Sequence, residues 1–423
     1  MVRKSGLLFT ALYLKQCSVS LQRYYAGSFQ KTDSLSVPVS LTRTGLPRII
    51  PVMVRRAIRV SDSRADKWVR IYLSWFQLCR IIELAKKVNK ATFSSIITPT
   101  RDIDSVKEVL SHMKSYGRQL LSIYLPDVHT IPLEQGIVWE PTWKSTPISD
   151  KFISRYRILD DIRIKCISSP NIFVNLKHEM ASFIMNVCKI HSLPDGVFSP
   201  GILWEKWIKY PFYPNNTMFA NRNLEWFERC VGPIMSSLIP AYQGIPLATG
   251  RLAQVLSGAG KRRIFAICNY VKQRLLYPVH KWAMIVLSKI PMDGTFNQIA
   301  PIDRLRVSRF KNTYSFDLKS ATDRWPLSVI YTLVELLFGP TMASSIVNGT
   351  LGLNTFIVDK PIVCKMSEVA FLAGQPLGYY GSWSLFSLSH HFLVWLASAM
   401  IDPAYLSKPF KDYAILGDDV VIA

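Results

Sequence analysis

Four aspartates in the last third of the chain have the residue type and pairing that metal-dependent chemistry uses. Asp418 and Asp419 are adjacent and follow Gly417, and Asp317 and Asp323 enclose the residues LKSAT further upstream. Clustered carboxylates raise the free-energy cost of ionising one another, and a divalent cation both relieves that repulsion and is held by it. Two magnesium ions bridged in this way serve in-line phosphoryl transfer. One activates the attacking hydroxyl and the other stabilises the leaving pyrophosphate.

Each pair taken alone also has an ordinary structural explanation. Asp317 can be an acid at the start of a helix, where it faces the positive end of the helix dipole. Asp418 can be a turn residue, because the aspartate side chain forms local hydrogen bonds in turns. The aspartates alone leave both explanations open.

The segments around these aspartates predict short strands. TYSFDL (313–318) is β-prone and bounded by polar residues, which predicts a strand that ends near Asp317. YAIL and VVIA flank Gly417-Asp418, which predicts a β-hairpin with the aspartates at its tip. If the two strands are neighbours, Asp317 and Asp418 come close together.

Helices are predicted where apolar positions recur every three or four residues. One helix begins after Pro326 and ends at Gly339-Pro340. Its apolar stripe consists of Leu327, Ile330, Leu333 and Leu337. Two further helices are predicted over Trp383–Met400 and Asp66–Val88. Residues 89–220 show a mixed pattern, in which the proline- and aromatic-rich stretch 200–216 predicts an ordered crossover.

The charge of the chain favours a polyanionic partner. Lys and Arg number 51 against 29 Asp and Glu, a net charge of +22, which indicates nucleic acid or an anionic membrane surface. A merely basic soluble protein is the alternative. Between Glu228 and Asp293 there is no acid, whereas basic residues accumulate. They include Arg251, Lys261, Arg262, Arg263, Lys272, Arg274 and Lys281. A basic middle suits phosphates, and the sparsely acidic end suits metal ions.

Several protein classes are disfavoured. The seven cysteines are scattered, odd in number and free of Cys-x-x-Cys pairs, which argues against a disulfide framework or a zinc site. The segment Val369–Ile401 has no charged residue, but its glycines, serines, Gln375 and the pair His390-His391 would be costly in lipid. We therefore predict a buried helix next to a functional loop and no stable membrane span.

The N-terminal segment has two interpretations. It contains no acid before Asp33 and carries Arg3, Lys4, Lys15 and Arg23 among several hydroxyl residues. These are features of an organelle transit peptide. An amphipathic first helix of the folded protein explains the same residues.

Three stretches in order carry a resemblance to a known family: SFDLKSATDRWP (315–326), AGQPLGYYGSWSLFSLSHH (373–391) and YAILGDDVVIA (413–423). They resemble motifs A, B and C of the viral RNA-dependent RNA polymerases, most closely those of the mitoviruses. Residues 258–282, with PMDGTFNQ (291–298) after them, are similar to motif F and its sequel. The resemblance extends over nearly the whole chain and is densest after Gly258.

The resemblance implies roles for individual residues. Asp317 and Asp418 would ligate two Mg²⁺ ions, with Mn²⁺ as the alternative metal, and Asp419 would assist. Asp323 and Ser382 would contact the ribose. The triphosphate would be held by Lys261, Arg262 and Arg263, for which a solvated basic turn is the alternative. The template and nascent base pair would be cradled by the loop and helix start at Gly374, Gln375, Gly378 and Ser382. A small-residue packing site is the alternative for Gly374, Gly378 and Ser382.

The sequence departs from the family pattern at three places. Phe386 stands where many relatives have an asparagine that joins the ribose contact, so sugar selection would depend on Asp323 and Ser382. Gly381 replaces one of two hydroxyl residues before the tryptophan. His390 and His391 follow the pattern, and we expect them to be structural.

The implied architecture is an α+β right-hand polymerase fold without its thumb. Residues 1–60 would be a basic N-terminal segment, either a transit peptide or the first fingers helix. Residues 61–300 would form mainly helical fingers that include motif F. Residues 301–423 would form a palm with a small antiparallel sheet and packed helices. Because the sequence stops after motif C, we expect an open reading frame truncated relative to its relatives, such as a viral copy captured in a host genome.

The expected activity is template-directed synthesis of RNA. Its partners would be a single-stranded RNA template, the nascent RNA duplex and ribonucleoside triphosphates, and no obligate protein partner is implied. The resemblance also implies a mitochondrial location. A catalytically inactive, endogenised viral remnant that at most binds RNA is the alternative. A basic membrane-surface protein is disfavoured because it leaves the ordered motifs unexplained.

Overall fold

The computed structural model describes residues 2–27, 37–81, 90–100, 102–133, 250–257 and 261–423, except for positions 309, 311, 353, 361 and 366. The predicted crossover 200–216 lies outside the described residues. The chain divides into two compact units. The first is Met1–Asn89 with Gln254–Ile264, and the second is Lys90–Ala253 with Phe265–Ala423.

Helices around an apolar core build the described part of the first unit. They are α1 (Val2–Tyr25, kinked at Gly6), α2 (Val52–Val60) and α3 (Ala65–Phe76), with a 3₁₀ turn over Gln77–Arg80. α1 contributes the fully buried Cys17 and Leu21 to a core that includes Leu46 and Ile50. Removal of this segment as a transit peptide stays a prediction.

The helix predicted over Asp66–Val88 is right at its start and wrong in its length. α3 begins at Ala65, but at Gln77 the α-helix gives way to the 3₁₀ turn, which ends at Arg80. Residues 82–89 lie outside the described residues. The apolar periodicity predicted which face is buried, and it contained no signal for the change of helix type.

Positive charge is concentrated in the first unit. Its sequence contains nineteen Lys and Arg and four Asp and Glu, so less than a quarter of the residues carries most of the net charge of +22. Such a concentration provides an electrostatic footprint for a polyanion.

Eight α-helices are described in the second unit. They are α4 (Lys90–Ile97), α5 (Ile103–Tyr124), α6 (Tyr270–Ser288), α7 (Ala300–Val307), α8 (Ala321–Arg324), α9 (Leu327–Phe338), α10 (Pro340–Ala343) and α11 (Ser382–Ile401). A π-helical segment, Ser344–Leu351, follows α10. α5 begins where the carboxylate of Asp102 accepts a hydrogen bond from the Ser105 amide at 3.0 Å. α5 packs against both α9 and α11.

The prediction for the helix after Pro326 is confirmed. α9 runs from Leu327 to Phe338, and Gly339 caps it with a positive φ of 88°. Pro340 does not end the helical region, because it opens the short helix α10.

Seven strands in the described part of the chain form two sheets. In chain order they are β1 (Gly250–Ser257), β2 (Lys261–Cys268), β3 (Tyr314–Asp317), β4 (Thr355–Val358), β5 (Ser367–Ala370), β6 (Tyr413–Leu416) and β7 (Asp419–Ile422). The first sheet has the order β2-β1-β4-β5, with β1 and β4 parallel. The second has the order β3-β7-β6 and is antiparallel throughout. The predicted strand at 313–318 and the predicted hairpin are confirmed.

The three-stranded sheet has one covered face and one more open face. Cross-strand partners share a face, so Phe316, Val420 and Ile415 lie together, and Val420 and Ile415 are buried. Asp317 and Asp419 lie on the opposite face and are exposed. The outer edge of β6 is covered, because the Ile415 amide donates to the Met292 carbonyl at 2.9 Å.

α11 confirms the helix predicted over Trp383–Met400. It is the one helix among the described residues that is long and apolar enough to cross a membrane by length and composition, and 72% of its apolar window is buried inside the protein. Its extensive burial matches the predicted buried helix.

Candidate active site

The sheet register brings the two acidic segments together. Asp317, the last residue of β3, pairs directly with Asp419, the first residue of β7. Directly opposite residues in an antiparallel pair have Cβ atoms about 5 Å apart on the same face. The amide of Leu318 donates to the carbonyl of Asp418 at 3.1 Å, which fixes the end of β3 beside the hairpin turn.

The hairpin turn consists of two residues, Gly417 and Asp418, because Leu416 pairs with Asp419. Gly417 has a φ of +59°, and Asp418 is not among the non-glycine residues with positive φ. A glycine with positive φ at the first loop position is typical of the type II′ turn, which matches the twist of the strands. The sequence therefore places Asp418 at the tip for a local backbone reason.

The carboxylates influence one another. The pKa of Asp419 is raised, first by partial burial and then by the negative charges of Asp418 and Asp317. This mutual repulsion is what a divalent cation would relieve, and carboxylate oxygens are the ligands that Mg²⁺ prefers. Asp317, Asp418 and Asp419 supply the type of ligand that a divalent cation binds, and they lie near one another. The described residues do not include a ready-formed group of three His, Cys, Asp or Glu side chains that could hold a metal ion.

Asp323 lies in α8 and is held by a segment far away in the sequence. The Ser95 hydroxyl donates to its Oδ2 atom at 2.7 Å, across 228 residues. Burial raises the pKa of Asp323, and the hydrogen bond from Ser95 opposes that shift. Arg324 donates to the backbone carbonyls of Thr98 and Pro99, which ties the same two segments together.

The backbone of Asp323 is fixed by the loop that precedes α11. The Gly374 amide donates to the Asp323 carbonyl at 3.1 Å, and the Gln375 amide donates to the Thr322 carbonyl at 2.9 Å. A Cβ atom at position 374 would lie 2.1 Å from the Thr322 carbonyl oxygen, so only glycine fits. This close approach supports the packing alternative for Gly374.

Gln375 and Ser382 are buried together. Gln375 is 0% exposed and Ser382 is 2% exposed, and Gln375 Nε2 donates to the Ser382 carbonyl at 2.9 Å. Among the described residues, neither Gln375 Oε1 nor Ser382 Oγ has a hydrogen-bond partner. In this conformation the Ser382 hydroxyl is covered, so the expected ribose contact requires the loop to move.

Gly378 contacts strand β2. A Cβ atom at position 378 would lie 2.4 Å from the Ala266 carbonyl oxygen, and the Ala266 amide donates to the Leu377 carbonyl at 2.7 Å. The side chain of Gln273 donates to the Gly378 carbonyl and accepts from the Tyr380 amide. These contacts hold the loop on β2 and likewise support the packing alternative for Gly378.

The basic residues of the middle segment have different surroundings. Lys261, Arg262 and Arg263 open β2 and belong to the first unit, and the Arg263 side chain is exposed. Lys272 is buried, with a relative exposure of 1%, and it donates to Asn354. Burial lowers the pKa of Lys272 to about 7. Lys272, one of the basic residues of the acid-free segment, therefore does not face solvent, because its spacing from the buried Leu276 and Val279 places it on the inner face of α6.

His391 belongs to a fully buried chain of hydrogen bonds. The Trp395 indole donates to the Tyr413 hydroxyl at 2.6 Å, and that hydroxyl contacts His391 Nδ1 at 2.8 Å. His391 Nε2 contacts the Asp293 carboxylate at 3.0 Å. Because a carboxylate only accepts, Nε2 carries the proton and Nδ1 accepts from Tyr413. Burial lowers the pKa of His391 and raises that of Tyr413, which keeps both neutral.

This Tyr–His–Asp order also occurs in nucleophilic active sites. Here the tyrosine is 0% exposed and its hydroxyl already accepts from Trp395, so no substrate reaches it. The chain of hydrogen bonds links the loop at Asp293, strand β6 and helix α11 behind the acidic hairpin. The expectation that His391 is structural agrees with these contacts.

Phe386, which stands at the position of the family asparagine, is 1% exposed and packs edge-on against Trp325 with ring centroids 4.8 Å apart. It offers no polar atom to a ribose. Sequence reasoning missed Ser95 and Trp383 as neighbours of the candidate site. A contact across 228 residues leaves no local signal. Trp383, whose ring lies against Gly417, follows Ser382 within the stretch 373–391 and was therefore within reach of the motif.

Comparisons with known proteins agree with the motif order. The model of the family described as mitovirus RNA-dependent RNA polymerase matches residues 162–423. A second family model, uncharacterized mitochondrial protein AtMg01050, matches residues 1–36.

Individual relatives cover shorter stretches. Uncharacterized mitochondrial protein AtMg01110 of Arabidopsis thaliana is 58% identical over 140 residues, which are 33% of this chain and 55% of that protein. AtMg01410 of the same plant is 52% identical over 138 residues, 32% of this chain and 64% of that protein.

A viral relative completes the comparison. The RNA-directed RNA polymerase of Cryphonectria parasitica mitovirus 1 is 34% identical over 177 residues, 41% of this chain and 20% of the viral protein. The chain therefore spans a fifth of the viral polymerase and somewhat more than half of the Arabidopsis proteins. The family model covers well over half of the present chain, in a mixed α+β structure with small sheets and many helices. The chain belongs to the mitovirus RNA-dependent RNA polymerase family.

Proposed function

We propose that the chain is the catalytic part of an RNA-dependent RNA polymerase, with residues 61–300 as fingers and 301–423 as palm. The observation that carries the proposal is the pairing of β3 with β7, which sets Asp317 of motif A directly opposite Asp419 of motif C. Membership in the mitovirus polymerase family supports the reaction, which is template-directed addition of ribonucleotides to the 3′ end of RNA.

The three aspartates are the proposed ligands of two divalent cations, Mg²⁺ or Mn²⁺. When bound, such cations neutralise charge on the attacking hydroxyl and on the leaving pyrophosphate. Asp317 and Asp419 approach from two paired strands, and Asp418 projects from the turn between β6 and β7. Asp317 and Asp419 are exposed and Asp418 is half-buried, which leaves the carboxylates accessible to substrate.

Other residues bind the substrate in this proposal. Lys261, Arg262 and Arg263 hold the triphosphate, because guanidinium and ammonium groups donate several hydrogen bonds to phosphate oxygens. Asp323 accepts a hydrogen bond from the ribose 2′-hydroxyl, the group that distinguishes ribose from deoxyribose. Gly374, Gln375 and Gly378 form the loop beside the template and nascent base pair. A movement of that loop uncovers the Ser382 hydroxyl, so that it joins the ribose contact.

Single-stranded RNA and the nascent duplex are the proposed partners. The concentration of basic residues in the first unit supports binding to phosphates. The names of the Arabidopsis relatives, which call them mitochondrial proteins, support a mitochondrial location.

A primer-extension assay tests the proposal. The full chain is incubated with a short RNA template–primer duplex, the four ribonucleoside triphosphates and Mg²⁺ or Mn²⁺. We expect incorporation by the wild type and a loss of at least about a hundredfold in Asp418→Ala and Asp317→Ala, because each removes a proposed metal ligand. Asp303→Ala is the matched control, since Asp303 is an exposed acid whose partner is Arg306 at 3.0 Å.

The same assay distinguishes the polymerase from a second candidate function, that of an inactive protein that binds RNA. The charge of the first unit favours RNA binding whether or not synthesis occurs. RNA binding that persists in Asp418→Ala, together with no incorporation by the wild type, supports the inactive protein and contradicts the polymerase.

A further inference from the structure

Two side chains of α11 hold the turn that carries Asp418. His390 Nδ1 lies 2.8 Å from the Gly417 carbonyl oxygen. Gly417 also contacts the Trp383 ring so closely that a Cβ atom at position 417 would lie 2.3 Å from it. Both side chains come from the buried helix, and neither has been given a role in the reaction.

The contact determines the protonation of His390. A carbonyl oxygen only accepts hydrogen bonds, so Nδ1 of His390 donates and carries the proton. His390 is 6% exposed and burial lowers its pKa, which keeps the ring neutral. The imidazole is therefore a fixed donor aimed at one backbone atom.

The bonded carbonyl belongs to the central peptide of the turn. In the turn Leu416–Asp419, the peptide between Gly417 and Asp418 is the one whose rotation converts type II′ into type I′. Type I′ requires positive φ at both central residues, and both glycine and aspartate tolerate that conformation. The sequence Gly-Asp thus permits either turn, whereas only one orientation directs the Gly417 carbonyl towards His390.

His390 also touches the other acidic segment. Its ring lies 5.3 Å from the ring of Trp325, which follows Asp323-Arg324. The Trp325 indole donates to the Ser389 hydroxyl on the same helix at 2.9 Å. One turn of α11 therefore contacts both acidic segments.

We infer that His390 is a positioning residue that selects the orientation of the Gly417–Asp418 peptide and thereby directs the Asp418 carboxylate. Trp383, from the same helix, also contacts the turn at Gly417. The inference about the turn stands on geometry alone, and its consequence for metal binding rests on the proposed function. Loss of the His390 donor lets the central peptide rotate, which changes φ of Asp418 and thereby the direction of its side chain.

The Leu318 amide reports the orientation indirectly. It donates to the carbonyl of Asp418, the residue whose φ changes when the preceding peptide rotates, so we expect a rotated turn to weaken that hydrogen bond. The Gly294 amide, which donates to the Ile415 carbonyl at 2.7 Å, is a reference in the same sheet because Ile415 lies away from the turn. The ratio of the two hydrogen-exchange rates separates a rotated turn from general loosening.

The experiment compares two variants of nearly equal shape. His390→Asn keeps a donor close to the Nδ1 position, and His390→Leu removes it. We expect Leu318 in the metal-free full chain to exchange at least about tenfold faster, relative to Gly294, in His390→Leu and at nearly the wild-type ratio in His390→Asn. Leu396→Ala, a buried change elsewhere on α11, is the control that loosens the helix without altering the ratio.

A second measurement uses Mn²⁺ binding. His390→Leu should weaken Mn²⁺ about tenfold relative to the wild type, as loss of a group that orients a metal ligand does, and His390→Asn should restore it. Equal Leu318 ratios in the wild type and His390→Leu would overturn the inference. If the wild type binds no Mn²⁺, the metal proposal fails while the exchange ratio still decides the role of His390. If His390→Leu does not fold, His390→Gln, whose donor is displaced by one bond, replaces it in both measurements.

Discussion

Strand β3 and helix α11 both contact the acidic hairpin and differ strongly in burial. All four residues of β3 are exposed, whereas fourteen residues of α11 are buried. β3 ends in the carboxylate of Asp317, open to solvent, while α11 carries serines and histidines that lie inside the protein. The strand presents charge to a substrate, and the helix uses buried polar groups to hold the neighbouring backbone.

The difference in burial between β3 and α11 indicates which region contributes to activity and which to stability. A substitution on β3 removes few packed contacts, so it should alter chemistry more than folding. A substitution on α11 leaves buried donors or acceptors without partners, which costs free energy of unfolding. Matched substitutions in the two regions test this division.

The largest stability effect is expected at Trp395. Trp395→Ala should lower the free energy of unfolding by about 3–5 kcal/mol, because it leaves a cavity and removes the indole donor to Tyr413. The ring is fully buried and stacks on Tyr124 at 4.3 Å. Urea unfolding measures the change. The control Phe316→Ala on β3, where the ring is 53% exposed, should cost less than about 1 kcal/mol, and an equal cost at both positions would contradict the division.

A smaller effect is expected from one buried hydroxyl. Tyr413→Phe should cost about 1–3 kcal/mol, because the Trp395 indole loses its acceptor and His391 Nδ1 loses its donor. Tyr314→Phe on β3 is the matched control, since Tyr314 is 60% exposed and should change stability by less than about 0.5 kcal/mol. If both substitutions are neutral, the buried chain of hydrogen bonds does not contribute to folding.

Sequence patterns predicted the elements that local rules determine. β3, α9, α11 and the hairpin were found because alternation, helical periodicity and the Gly417 and Gly339 signals act within a few residues. The pairing of β3 with β7 was expected only from the resemblance and from adjacency of strands. Local patterns therefore give elements, and long-range pairing needs a second source of information.

Features that depend on tertiary contacts were missed. The burial of Lys272 within the acid-free basic segment was not predicted, because composition along the chain does not show which way a side chain points. Ser95 could not be found at all, since its partner Asp323 lies 228 residues away. Position 374 requires glycine because the backbone of Thr322 and Asp323 lies against it, and no local sequence pattern reveals that contact.

The pH dependence of stability tests the neutral state of His391. Its pKa is lowered in the folded protein by burial, which outweighs the opposing effect of Asp293. The unfolded state therefore binds a proton first as the pH falls below about 6.5, and stability is lost by up to about 1.4 kcal/mol per pH unit until the folded-state pKa is reached. Tyr413 and Asp293 contact the ring directly, and Arg304 donates to the Tyr413 carbonyl.

The variant His391→Gln isolates this contribution. It should be less stable than the wild type near pH 7.5, and the difference should shrink towards about pH 5.5 because only the wild type has a histidine at this position. His112→Gln, at a half-buried position on α5, is the control for removal of a histidine elsewhere in the protein. A constant difference between His391→Gln and the wild type would show that His391 is not held neutral by the fold.

The smallest effect is expected at Ser95, where α4 reaches Asp323. Ser95→Ala removes the hydroxyl that donates to Oδ2, so the pKa of the Asp323 carboxyl should rise further, as NMR titration would record. If Asp323 reads the ribose 2′-hydroxyl, the preference for ribonucleotides over deoxyribonucleotides should fall by about two- to tenfold, the worth of one hydrogen bond. Ser94→Ala, the exposed neighbour, is the control. A raised pKa with an unchanged sugar preference would support the hydrogen bond between Ser95 and Asp323 but show that another residue selects the sugar. The pKa and the sugar preference therefore test the contact and its proposed use separately.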